Sequence, residues 1–153
     1  MNRACPAVDT RSASTLPSLR RLADFRYQLR KFLRFSERAA RSNGLTPQQH
    51  QLLLGIAGFT GRGSATISEL AEFFQERHNA VVGLVQRAER RGLVEKSRSE
   101  NDHRIVRVSL LPEGEKLLTR LTELHQKEVR RFRLGISNLQ NSRASHGKGK
   151  KLS

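Results

Sequence analysis

The sequence predicts a mainly α fold with one small β-hairpin, a winged helix-turn-helix flanked by long helices. Three observations carry that prediction. Apolar residues recur at helical spacing over most of the chain, and two short helical patterns with a tight break between them occupy its middle. The segment that follows, from LVEKSRS to RIVRVSLL, ends in strand-like alternation.

Residues 1–16 are rich in Ser, Thr, Ala and Arg without periodicity and read as a disordered arm. Residues 17–44 read as a long amphipathic helix. Leu19, Leu22, Phe25, Leu29, Phe32 and Leu33 recur at helical spacing, Pro17 suits a first turn, and SNGL at 42–45 is a stop signal. Thr46 then caps a helix with Pro47 at its first position and Leu52, Leu53 and Ile56 as its buried face. The Gly-rich stretch TGRGSAT at 60–66 lacks the glycine pattern and Lys-Ser/Thr pair of a phosphate-cradling loop, so it reads as a connector.

Ser68 is expected to cap the short helix ELAEFFQE, with Leu70, Ala71 and Phe74 inward. After a break near Arg77–His78, Val81, Leu84, Val85 and Ala88 form the apolar stripe of a second helix, which Gly92 ends. Two strands with a charged tip between them complete a helix-turn-helix and wing over residues 45–112. A last helix, 113–134, turns Leu117, Leu118, Leu121, Leu124, Val129 and Phe132 to one side, and 135–153 reads as a basic disordered tail.

A chain of 153 residues suits one domain with a real core. Its apolar fraction of 36% is low for a compact globule, which implies disordered segments or apolar surface covered by a partner. No run approaches the roughly 18 apolar residues of a membrane span, and the N-terminal stretch lacks the apolar centre of a secretory signal. An intracellular location is expected, and the lone Cys5 fits a reducing compartment. The net charge of +15 calls for a polyanion, either nucleic acid or an anionic membrane surface. Basic tails supply part of that charge. Arg20, Arg21, Arg26, Arg30, Lys31, Arg34, Arg38 and Arg41, however, fall within the first long helix.

The second helix of the central pair presents Arg77, His78, Asn79, Gly83, Gln86, Arg87 and Arg90 opposite its apolar stripe. The major groove admits an α-helix, and Asn, Gln and Arg are side chains able to make paired hydrogen bonds to base edges. Gly83 in mid-helix costs about 1 kcal/mol relative to Ala, a cost that close approach to a duplex or internal packing explains equally well. The histidines are scattered with no metal-ligand spacing, and no nucleophile has a base beside it, so neither a metal, a cofactor nor an enzymatic activity is expected.

Residues 66–118, TISELAEFF through PEGEKLL, together with GLTPQQHQLLL before them, resemble the winged helix-turn-helix of the MarR family of bacterial transcriptional regulators. Glu69-Leu70-Ala71, GLVEK after the second helix, the Asp102-x-Arg104 pair and SLLPEGEKLL carry the resemblance, which extends over roughly 20–133. It implies an obligate homodimer in which 17–44 and 113–134 are dimerisation helices. The recognition helix, about 78–91, would enter the major groove, and the two copies would read an inverted repeat about 10 base pairs apart. The wing, 97–105, would reach the minor groove through Arg104, held by Asp102, with Arg98 and His103 on phosphates. It also implies repression by occlusion in a bacterial cytoplasm, at the nucleoid, and release by a small aromatic or anionic effector. Arg30 and His50 are the candidate effector contacts. The chain departs from the family after Leu134, where GISNLQNSRASHGKGKKLS lacks the apolar repeat of a further dimerising helix. The competing reading is a sequence-tolerant, histone-like DNA-coating protein that uses the same basic surface.

Overall fold

The computed structural model describes residues 10–141. The chain divides into two compact units, residues 35–126 and the two chain ends, 1–34 with 127–153. Helix α1 (Thr10–Ser42) and helix α5 (Pro112–Asn141) each contribute to both.

Unit 35–126 holds the core. Helix α2 (Pro47–Leu54) runs into a π-helical turn (Gly55–Phe59), then strand β1 (Ser64–Thr66), helices α3 (Ile67–Phe74) and α4 (His78–Arg90), and strands β2 (Val94–Arg98) and β3 (Val106–Leu110). The strands form one antiparallel sheet in the order β1-β3-β2, with Ala65 opposite Val108 and Lys96 opposite Val108 on the other side. Leu52, Leu53 and Ile56, the stripe Val81, Leu84, Val85 and Ala88, and Leu70, Val94, Val108, Leu118 and Leu121 are all buried in one cluster. The winged helix-turn-helix expected over this region is present, and it has a third strand.

Local chemistry fixes each boundary. Thr46 and Gln49 form a capping box, each side chain taking the other's backbone N–H at 3.1 Å. A second box starts α3, and here the expectation of Ser68 is corrected: the cap is Thr66. Its hydroxyl accepts the Glu69 N–H at 3.2 Å, and the Glu69 carboxylate accepts the Thr66 N–H at 2.8 Å. Gly92, at φ 70°, ends α4 with Leu93 N–H returning to Ala88 O, as the sequence predicts. The connector at 60–66 is corrected too. Its last three residues pair with β3, an interaction no local pattern of three residues announces.

The chain ends differ most from expectation. Helix α1 begins at Thr10 and carries Pro17 inside it, so 10–16 are helical; residues 1–9 of the expected arm lie outside the described residues. A proline at this depth costs the helix one backbone hydrogen bond and crowds the carbonyl four residues earlier, which is why the sequence pattern favours a start at Pro17. Helix α5 continues through Gly135 to Asn141, where a tail was expected; 142–153 lie outside the described residues. Gly135 sits so close to Gln28 that an added Cβ would be 3.1 Å from its amide carbon. The glycine is therefore a close-contact point between helices rather than a breaker. Nearby, Phe32 and Phe132 pair with ring centroids 5.4 Å apart. No helix among the described residues is long and apolar enough to cross a membrane.

Candidate nucleic-acid interface

Helix α4 is amphipathic because its apolar residues recur at three- and four-residue steps, and that stripe packs on α2, α3 and β2. The opposite face is solvent-exposed at Arg77, His78, Asn79, Gln86 and Arg87, all residues the sequence singles out. The turn that aims this helix is made by Gln75 in the left-handed region (φ 53°), with Glu76 N–H bonded to Ala71 O at 3.0 Å. Gly83 lies mid-helix on the open side. A Cβ there would meet only the Arg87 guanidinium, at 3.4 Å, so the protein's own packing does not demand glycine.

At its C-terminal end α4 is clamped by a residue the sequence reading missed. Arg91 donates to the Gln49 side-chain oxygen at 2.7 Å and to the Gly44 carbonyl at 2.8 Å. Gln49 is buried and already serves the capping box, so one amide oxygen joins the α1–α2 turn, the start of α2 and the end of α4. Nothing in the local sequence marks Arg91 apart from its Arg90 neighbour.

The wing follows from β2 and β3. Ser99 N–H bonds Ile105 O, and Ile105 N–H bonds Asp102 O, both at 3.0 Å, which closes a tip over 99–105. Arg98, Asp102, His103 and Arg104 are all exposed. The expected Asp102–Arg104 side-chain pair is corrected: the Asp102 carboxylate accepts the backbone N–H of Arg104 at 3.0 Å. An Asp side chain bonding the amide two residues on is a turn-forming contact. Asp102 thus shapes the backbone from which Arg104 projects and does not tether its guanidinium.

Between the wing, α4 and the first turn of α3 lies a cleft of about 430 Å³. Its apolar lining includes Val82, Val85, Ile105 and Val106, its cationic lining Lys96 and Arg104, and His78 stands among them. Lys96, another residue missed from sequence, is held by Glu89 of α4 at 3.1 Å. Helix α4 and the wing therefore share one basic cleft.

The candidate effector residues fall in different units. Arg30 is exposed in the unit of chain ends, and His50 is buried in the other. Burial, and next the neighbouring His125, lower the His50 pKa to about 4, so it carries no charge to offer an anion near neutrality. Its ring instead lies 4.8 Å from that of His125, whose Nε2 is 2.9 Å from Ser36 Oγ. Cys5 lies outside the described residues. Among the described residues no group of three or more His, Cys, Asp or Glu could hold a metal ion.

The sequence model of the MarR family matches residues 43–105, which include every residue lining this cleft but Val106. An uncharacterized HTH-type transcriptional regulator of Bacillus subtilis, YsmB, is 30% identical over 86 residues, 56% of this chain and 57% of that protein. The HTH-type transcriptional repressor MdtR of the same organism is 32% identical over 72 residues, 47% of this chain and 44% of that one. The chain spans about half the length of these curated relatives. The structure of a MarR family protein from Bacillus stearothermophilus superposes with a TM-score of 0.61 at 25% identity, covering 93% of this chain and 86% of that one.

Proposed function

From the premise that residues 43–105 belong to the MarR family, we propose that this protein is a sequence-specific, double-stranded-DNA-binding transcriptional repressor. It acts as a homodimer on an inverted repeat. The observation that carries the reading is the shared cleft: His78 at the start of α4 and Lys96 and Arg104 of the wing line it, and α4 exposes Asn79, Gln86 and Arg87 to solvent. Asn79, Gln86 and Arg87 meet base edges in the major groove, and Arg104 reaches the minor groove beside it. Arg98 and His103 contact phosphates, which position the protein without reading sequence.

The dimer is supported by apolar side chains left in solvent. Leu19 is 56% exposed, Leu22 59%, Leu33 45% and Leu134 65%, all in the unit of chain ends. A second copy covers them, and the inverted repeat follows from its two-fold symmetry. Release by a small aromatic or anionic effector fits the cleft itself, whose apolar lining and two cations, Lys96 and Arg104, suit such a molecule. An occupant would compete for Arg104 and His78 with DNA, which supplies the differential affinity that coupling requires.

Selection of duplexes from a random pool, followed by titration of selected and scrambled DNA at physiological salt, tests the proposal. A preference of about 10³ or more is expected. If both duplexes bind alike, the protein is the sequence-tolerant coating protein instead.

A further inference from the structure

The net charge of +15 is distributed unevenly between the two units. Residues 35–126, which contain α4 and the wing, carry thirteen Lys and Arg against eleven Asp and Glu. The chain ends, 1–34 with 127–153, carry sixteen against three. The unit with the DNA-reading face is thus at +2 and the chain ends at +13; of the latter, the outer parts of α1 (10–34) and α5 (127–141) carry eleven basic against two acidic side chains, or +9. Electrostatic attraction to a polyanion resides chiefly in the second.

We propose that the unit of chain ends is itself a duplex-DNA-binding surface. It grips phosphates without regard to sequence, separately from the winged helix-turn-helix. On α1, Arg20, Arg26 and Arg30 are exposed; on α5, Lys127, Arg130 and Arg133 are exposed. Arg26 and Arg30 stand one turn apart, as do Arg130 and Arg133, and like charges at that spacing destabilise a helix. An ion pair within the unit joins Arg131 to Glu128 at 3.3 Å, and Asp24 is the other acidic side chain among its described residues. A homodimer formed through the same unit would double that charge, and charges closer than the Debye length of about 8 Å repel one another. A bound polyanion relieves that repulsion.

Arginine predominates over lysine among these side chains, and its planar fork matches phosphate oxygens in paired hydrogen bonds. That favours nucleic acid over a lipid surface, where a point charge serves as well. The identity of the polyanion rests on the regulator reading; the location of the surface does not.

The test uses the full chain with Arg20, Arg26, Arg130 and Arg133 all changed to Gln. Affinity for a selected duplex and for its scrambled counterpart is measured from about 50 to about 200 mM salt, where each phosphate contact contributes about 0.9 to the log–log slope. The expected result is a slope shallower by about 2 to 4, weaker binding to both duplexes by a similar factor, and an unchanged ratio between them. The matching Arg→Lys set keeps the slope, and if the four-Gln chain does not fold, the Arg130→Gln, Arg133→Gln pair shows about half the change. An unchanged slope, or a loss confined to the selected duplex, overturns the proposal. So does loss of sedimentation with vesicles of phosphatidylserine and phosphatidylcholine while DNA binding is untouched, which assigns the surface to membranes. A shallower slope without any sequence preference in the parent chain would sustain this surface and remove the repressor reading.

Discussion

At Gly83 the helix forgoes about 1 kcal/mol that alanine would supply, although a Cβ there would touch only the end of the flexible Arg87 side chain. A residue that weakens its own helix without a packing reason must answer to something outside the chain. In the proposed complex that is the duplex, whose backbone comes closest where α4 has no side chain. Gly83→Ala is therefore expected to raise stability by up to about 1 kcal/mol in urea unfolding while lowering affinity for the selected duplex about tenfold or more. Stabilisation with unaltered binding would show that the glycine serves nothing in recognition. Arg91 illustrates the opposite case. Its two bonds, to Gln49 and Gly44, fix where the end of α4 lies.

Elements of this fold start and stop by side-chain chemistry that sums to more than propensity. Helix α3 has eight residues and would be marginal alone; the Thr66–Glu69 box satisfies two of its free amide donors, and Arg62 adds a 2.6 Å bond to the same carboxylate. The Thr66 backbone bond first, and Arg62 next, hold the Glu69 pKa below its ordinary value. Thr66→Ala should cost about 1–2 kcal/mol and loosen the start of α3; an unfolding midpoint equal to the parent's would refute the cap's importance. The box was readable as T-x-x-E, but Ser68 stands nearer the apolar run and distracts from it. The stripes of α4 and the α2 cap were legible because they are local patterns of period and spacing. Strand β1 and the last part of α5 were not, because Ser64–Thr66 becomes a strand only against β3, and Gly135 is tolerated only because Gln28 lies against it. The wing's chemistry was half legible: the Asp102-x-Arg104 spacing was visible, but whether the carboxylate would take a guanidinium or an amide depends on the turn.

The stability of unit 35–126 as a whole should carry the signature of a contact no sequence spacing reveals. His50 and His125 are far apart in the chain, yet α2 and α5 bring their rings to 4.8 Å, with Phe35 of α1 packed edge-on against His125 at 5.3 Å. Three elements of the unit meet there. Burial, and next the adjacent imidazole, lower the His50 pKa from 6.5 to about 4. The folded chain thus resists protonation at a site where the unfolded chain accepts a proton at ordinary pH. Above about pH 6.5 His50 is neutral in both states and contributes no pH dependence. As pH falls from there towards 4, the unfolded state gains a proton that the folded state refuses, and stability falls by an amount on the order of 3 kcal/mol. Carboxylates such as Glu69 add their own loss lower in the range, so the informative quantity is a difference. Chemical unfolding of the parent and of His50→Phe, which keeps a ring in the stack, should give stabilities that converge or cross as pH is lowered from 7 to about 4.5. The Phe variant loses less because it has no proton to refuse. Parallel losses in the two chains would mean that the buried imidazole is not the source of the acid sensitivity.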